Sequence, residues 1–303
     1  MNDHSRKKFA LILAIVGYSI FGFSFLFSKQ ALSVATPFVL LAVRFTVAFL
    51  IMNCILLAGK AKLNFKGKKL GPVLLLGFIQ PVLYFVFENY GIQLSPSSFA
   101  GTMLALVPII SLVLAHLILK ETIRPYQILC ALLSLFGVFL TTLGQQPNNF
   151  SWPGFSLLLG AVFIAALFSV VSRKISGQFS AFERTYVMFA LGSITFLCIA
   201  LIQGRNNIPE MILTPLLNAK FWTSVIFLAG ASSVGAFLML NYAMTHLDIA
   251  KASIFSNITT VISIFAGVLL LGESFGLYQL IGSAIIVMTA YWVNVGIHRL
   301  KRS

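Results

Sequence analysis

Ten apolar runs of about 20 residues each take up most of this chain, and the segments between them are short. They lie near 9–28, 37–58, 71–91, 99–119, 125–144, 152–172, 182–203, 221–243, 250–271 and 276–296. A run of that length, coiled as a helix rising about 1.5 Å per residue, matches the hydrocarbon thickness of a bilayer. Lipid offers the backbone no water, so each N–H and C=O has to be satisfied inside the run, and a helix does this. Composition agrees: 59% of residues are hydrophobic, 9% are charged, and mean hydropathy is +0.97. No connecting segment is large enough to fold alone. The expected fold is an all-α membrane protein of ten transmembrane helices. Arg6, Lys7 and Lys8 precede the first run as in a signal peptide. That run is about 20 residues long with no small-residue cleavage site after it, so it is kept as the first helix.

The net charge of +14 raises the idea of nucleic acid, and the placement of the charge argues against it. With the N-terminus in the cytoplasm, seventeen basic residues fall on the inner side, including five lysines in the loop 59–70. Three fall outside, Lys29, Arg205 and Lys220, and one, Arg44, lies within a run. This is the positive-inside asymmetry. The basic excess sets orientation and meets anionic lipid. The expectation is a multi-pass protein of the plasma (inner) membrane with both termini cytoplasmic, in contact with membrane lipid and not with nucleic acid. Cys54, Cys130 and Cys198 all sit inside runs, and make neither a disulfide framework nor a CxxC site.

Residues 88–144 recur as 240–296 at a constant offset of 152, without a gap, with eleven identities in 57 positions. Asn89-Tyr90 falls on Asn241-Tyr242, Ile110-Ser111 on Ile262-Ser263, Glu121 on Glu273, and Tyr126-Gln127 on Tyr278-Gln279. Duplicated sets of membrane helices are the usual architecture of secondary transporters. Two halves, 9–144 and 152–296, meet in the loop 145–151 and hold five runs each. Five is odd, so the second half enters the membrane from the other side. The halves are therefore expected to be inverted repeats about an axis in the membrane plane. Glu121 and Glu273 occupy the tight turn between the fourth and fifth runs of each half. A carboxylate there complements the N-terminal dipole of the next helix; a direct part in transport is the alternative.

With these residues placed, the chain resembles the EamA-type transporters of the drug/metabolite transporter superfamily over nearly its whole length, about 9–296. The segment from Phe21-Gly22 to Ser28-Lys29 is similar to the family's Trp-Gly…Lys start, with Phe21 in place of Trp. Arg44-Phe45 followed by Ala48 resembles its Arg-containing second helix. Pro108, then Leu117-Ile118-Leu119-Lys120-Glu121, then Gln127 is the strongest match, and its second copy reads Leu269-Leu270-Leu271-Gly272-Glu273, then Gly282. Thr260 stands where the second copy often has Pro, and Cys130 where the first often has Gly. The resemblance implies a ten-helix bundle around a central cavity open alternately to each side, and export of small metabolites such as amino acids without ATP.

The chain has seven acids, and no run holds two of them, so an intramembrane aspartyl pair is excluded. No Gly-rich phosphate loop is present, and ATP-driven transport would need another subunit. His4, His116, His246 and His298 lie near termini or run ends and form no metal-ligand cluster. No cofactor, no metal and no enzyme activity is expected.

Gln80, Tyr84 and Glu88 are spaced i, i+4, i+8, which places them on one helical face. Polar groups at membrane depth are costly unless they face protein or a water-filled cavity. Pro81, near mid-run, frees a backbone carbonyl. Glu88 lies about 27 Å along a core of about 30 Å, near the outer surface. It reads as a snorkelling or paired carboxylate, or as a substrate or proton site; Gln80 and Tyr84 read as helix packing or cavity lining. Arg44 lies about 10 Å below the outer surface and needs a partner. Glu88 is the only run carboxylate at comparable depth; binding a substrate carboxylate is the rival role. In the ninth run Ser253, Ser256, Asn257, Thr260 and Ser263 form a polar stripe at helical spacing, suited to joining helices or to lining a cavity. Gln80, Tyr84, Glu88, Arg44, Asn257 and Thr260 are the candidate substrate-binding residues, on two faces expected to line one central cavity. The function expected is secondary active transport of a small molecule, with a coupled proton or other ion left open as a partner. A non-transporting membrane sensor or assembly protein of the same fold is the alternative.

Overall fold

The computed structural model describes residues 3–119, 125–144, 151–246 and 256–299. Glu121, the loop residues 145–150 and Ser253 lie outside the described residues. Among the described residues every element is helical. Eight helices are long and apolar enough to cross a membrane: Lys8–Leu32, Pro37–Leu57, Gly71–Gln93, Ser97–Ile118, Pro125–Leu143, Trp152–Ser172, Ala181–Gly204 and Ala219–Ala243. The ninth and tenth runs correspond to shorter apolar helices, Asn257–Leu271 and Leu277–Thr289. The ten are numbered below as segments in chain order.

Where the helices begin follows from local chemistry. Pro37 opens the second segment, since the N–H it lacks would be unpaired there anyway. Ser180 and Glu183 form a reciprocal capping box at the start of the seventh, satisfying two orphan amides at once. Glu183 is also the anchor for the lysine-rich loop 59–70: it accepts from Lys68 Nζ at 2.8 and 2.9 Å and from the Asn64 amide at 2.8 Å.

Two segments are not continuous α-helices. The third runs as Gly71–Gly77, a π-type stretch Phe78–Leu83, and Tyr84–Gln93. The break sits at Gln80, whose φ of −140° and ψ of 119° are extended. Pro81 is the cause: the residue before a proline is pushed out of the helical region, and the ring displaces the ladder. Gly192 of the seventh segment makes room, since a Cβ there would stand 2.7 Å from the Pro81 ring. The eighth segment carries a π-type stretch Phe227–Ala236 between Ala219–Ile226 and Phe237–His246.

The two halves interlock. The second segment packs along the seventh, the fifth along the tenth, and the fourth against the ninth. The first packs on the eighth and ninth, and the sixth packs on the third and fourth. Small residues set the closest crossings. The fifth and tenth segments meet at Gly137 and Gly282, where a Cβ on Gly282 would stand 2.5 Å from the Gly137 carbonyl oxygen, and Ser134 and Thr289 hydrogen-bond nearby. Gly101 of the fourth faces Ser263 of the ninth. Without a hydrophobic drive between helices in lipid, close backbone approach and hydrogen bonds hold such a bundle. Large apolar side chains such as Leu50, Leu129, Leu132, Leu201 and Leu269 point outward, toward lipid. Phenylalanines gather inside: Phe45 meets Phe85, Phe189 and Phe196 with ring centroids 5.0 to 5.7 Å apart.

Glycine-to-alanine changes should therefore divide by position. Gly282→Ala is expected to destabilise by about 1–3 kcal/mol through overpacking. Gly230→Ala, with open space around its Cβ position, should be neutral or slightly stabilising. Thermal-unfolding midpoints of the purified variants in one detergent check this; equal midpoints for the two variants would contradict the close crossing.

Candidate functional site

Arg44 projects from the middle of the second segment and is 1% exposed. Its Nε donates to Ser233 Oγ at 3.0 Å and its Nη2 to Ser232 Oγ at 3.4 Å, both hydroxyls belonging to the interrupted part of the eighth segment. The guanidinium lies over the Phe85 ring at 4.4 Å from its centroid. Its third nitrogen, Nη1, is buried and has no partner.

Glu88 sits about two turns beyond the third-segment break and is also buried. Tyr84 Oη donates to its Oε1 at 2.7 Å, and Asn89 Nδ2 reaches its Oε2 at 3.5 Å. Arg44 and Glu88 feel one another's charge, yet no Glu88 oxygen comes within ion-pair distance of the guanidinium. The pairing suggested by equal depth is thus replaced by two separate sets of partners: serines for the cation, a tyrosine for the anion. The four-residue spacing holds between Tyr84 and Glu88, which share a face and a hydrogen bond. It does not extend to Gln80, because the extended backbone at Gln80 ends the helix on which that spacing depends. Gln80 is buried at the break itself.

Asn257 and Thr260 make their hydrogen bonds elsewhere. Thr260 Oγ1 donates to the Gly101 carbonyl at 3.0 Å, on the fourth segment, and Asn257 Nδ2 to the Val287 carbonyl at 3.4 Å, on the tenth. Their neighbour Thr259 donates to the Tyr18 carbonyl at 2.9 Å. The ninth-segment stripe therefore stitches the fourth, tenth and first segments, while Asn257 keeps one buried oxygen without a partner. Ser232 and Ser233 were not singled out from the sequence. The signal was there: two adjacent hydroxyls between Gly230 and Gly235 in an apolar run.

At one end of the bundle, two charged side chains grip the linker between the third and fourth segments. Lys29 Nζ donates to the carbonyls of Ile92 and Ser95 at 2.7 Å each and of Gln93 at 3.3 Å. The Glu273 carboxylate accepts from the Ser97 and Ser98 amides at 2.7 and 2.9 Å. Glu273 does cap a helix N-terminus, as its charge suggests, but that of the fourth segment and not of the tenth that follows it. Gly272, at φ +66°, turns the chain before it, and Gly267 leaves the space its carboxylate occupies. Lys29, Gln93, Leu94, Ser95, Pro96, Glu273 and Ser274 line a shallow pocket between the two grips.

The EamA-like transporter family matches residues 8–143 and again residues 152–295. The chain belongs to that family. It is 32% identical over 293 residues to the uncharacterized transporter YcxC of Bacillus subtilis, covering 96% of this chain and 94% of the relative. It is 24% identical over 305 residues to a "Probable amino-acid metabolite efflux pump" of Salmonella typhimurium, covering 99% and 98%, and 23% identical to a protein of the same description in Escherichia coli, covering 96% and 95%. One solved crystal structure superposes with a TM-score of 0.66 at 22% identity, covering 96% of this chain and 98% of that one, which supports the fold. This EamA chain is accordingly an integral, multi-pass membrane transporter of a small molecule and not an enzyme.

Since Lys29 and Glu273 hold the two ends of one linker, their losses should not add. Lys29→Ala and Glu273→Gln are each expected to cost ~1–2 kcal/mol by orphaning linker carbonyls or amides. The double variant should cost less than the sum. A double-mutant cycle on unfolding midpoints reads this directly, and strict additivity would mean that the two grips act independently.

Proposed function

We propose that this EamA chain is a secondary active exporter of a small metabolite such as an amino acid. It would work by alternating access between two inverted five-segment repeats, 9–144 and 152–296, around a central cavity. One observation carries the reading. The π-type stretch Phe78–Leu83 of the third segment, moved by the repeat offset of 152, falls on 230–235, inside the π-type stretch Phe227–Ala236 of the eighth. Interrupted helices in corresponding positions of two halves are the mark of a transporter's binding site, and π-type turns concentrate at functional places. Arg44 is held against one interruption through Ser232 and Ser233 and rests on Phe85 just beyond the other. The segment packing supports the same symmetry. Shifting each ordinal by five turns the first-on-eighth contact into sixth-on-third and the first-on-ninth into sixth-on-fourth, and returns second-on-seventh, fourth-on-ninth and fifth-on-tenth to themselves. The efflux pumps among the relatives support the amino-acid class.

In this reading Gln80, Tyr84, Glu88 and Arg44 contact the substrate, and Asn257 and Thr260 close the cavity from the ninth segment. Glu88, a buried carboxylate with no ion pair among the described residues, carries the coupled proton. Reconstituted protein should move labelled amino acid with an imposed proton gradient and no ATP. Tyr84→Phe and Gln80→Ala should lower apparent affinity roughly 2- to 12-fold, the worth of one hydrogen bond, with membrane expression unchanged. Glu88→Gln should flatten the pH dependence of flux. Flux that required ATP and a partner subunit would end the proposal.

Orientation follows the charge asymmetry: both termini in the cytoplasm of a plasma-membrane protein. In a background without Cys54, Cys130 and Cys198, an impermeant thiol reagent added to intact cells should label Gln93→Cys and leave Lys62→Cys untouched. The opposite pattern would invert the topology.

A further inference from the structure

We infer that Arg44 is the anchor for a carboxylate group, so that the transported molecules are small carboxylates with an apolar body. This rests on the transporter reading above and names its substrate class. Three features of the guanidinium point to it. It is buried at membrane depth, where a cation without a close counter-charge is costly. Its partners are neutral: two serine hydroxyls take Nε and Nη2, fixing the plane of the group while leaving its charge uncompensated at contact. And Nη1 is buried without any partner, so the open edge of the fork is the one that offers parallel N–H groups to a two-oxygen acceptor.

The nearby anion does not fill that edge. Glu88 is turned to Tyr84 at 2.7 Å, which keeps it out of ion-pair contact with Arg44. A single guanidinium with hydroxyl neighbours suits a singly charged carboxylate. A phosphate dianion would call for a second cation at contact, and the other basic residues that fall within runs, Arg184 and Lys251, lie at run ends. The walls are aromatic: Phe85 lies under the guanidinium at 4.4 Å and Phe45 beside it at 5.6 Å. Both rings are packed closed here, and they would face the rest of the ligand once the cavity opens. With its carboxylate on Arg44, the ligand leaves the Glu88 charge to be balanced by the ligand's own ammonium or by a proton.

The test uses the purified full chain in detergent and reads the unfolding midpoint, which rises for any ligand that binds the folded state. The probes are L-leucine and L-phenylalanine, the amine-free acids isovalerate and phenylacetate, and the amides leucinamide and phenylalaninamide. The amino acids at least should raise the midpoint and the amides should not. A shift by amino acids alone assigns the balancing charge to the ammonium; a shift by all the acids assigns it to a proton; either outcome supports the anchor. Arg44→Lys should weaken the acid effect roughly 10- to 100-fold, the loss of a charge-assisted fork. Arg44→Gln should abolish it while leaving the unliganded midpoint equal or higher, because an uncompensated buried cation has been removed. Should Arg44→Gln fail to fold, the Ser232→Ala and Ser233→Ala double variant, which only frees the guanidinium plane, should lower the apparent affinity for acids roughly 2- to 12-fold. Amides as effective as acids, no shift by any acid, or wild-type acid affinity in the serine variant would overturn the assignment. Acids that bind but are not moved in proteoliposomes would instead refute transport and leave the anchor standing. Labelled acid that moves while amides compete equally would refute the anchor and leave transport standing.

Discussion

Because lipid supplies no hydrogen bonds, a helix at membrane depth can be broken or charged only where a neighbouring segment provides what the break or the charge leaves open. Much of the internal detail of this bundle answers that demand. Pro81 breaks the third segment, and Gly192 of the seventh gives way to its ring. The eighth segment loosens over Phe227–Ala236, and its Ser232 and Ser233 turn their hydroxyls to Arg44 of the second. Thr185 of the seventh accepts from Asn241 of the eighth at 3.0 Å, and Asn53 of the second accepts from Tyr186 of the seventh at 2.9 Å. Three of these answers, at Pro81, Arg44 and Tyr186, come from the other half of the chain, which is why the halves interlock instead of standing side by side.

The same demand explains the linker between the third and fourth segments. The third segment ends with exposed carbonyls and the fourth starts with unpaired amides, so the linker has a negative and a positive dipole end within a few residues. Lys29 meets the carbonyl end and Glu273 the amide end. Neither charge is spent on the other; both are spent on backbone. One comes from the end of the first segment and the other from the turn before the tenth, so the linker ties together the beginning and the end of the chain.

Much of this was legible in the sequence. Run length gave the helical class, charge placement gave an orientation to test, and the repeated Glu121 and Glu273 turns, with Lys29, pointed to the family. What was not legible was direction. The periodicity that put Tyr84 and Glu88 on one face is a property of a continuous helix and failed at Gln80, where Pro81 overrides it. Depth alone matched Arg44 to Glu88, but depth carries no information about rotation around a helix axis, and the rotation seen sends one to serines and the other to Tyr84. Likewise the ninth-segment stripe was visible as a stripe, yet which neighbours it would meet depends on crossings set by Gly101 and Gly22, whose partners lie far along the chain.

The interruptions also bear on why the buried guanidinium is tolerated. In an unbroken helix a serine or threonine hydroxyl commonly bonds back to a carbonyl one turn earlier, as Thr102 does to Ser98 and Thr185 to Ala181. Ser232 and Ser233 instead direct their hydroxyls across to Arg44, from a stretch where the i to i−4 ladder is already relaxed. A rigid α-helix at that place would present less freedom to match the guanidinium plane, and full neutralisation by Glu88 would leave no open edge. The loosened helix, the neutral hydroxyls and the tyrosine that holds Glu88 aside belong together. They keep a cation at membrane depth oriented, partly solvated by protein, and unsatisfied at one nitrogen, which carries a local cost in stability.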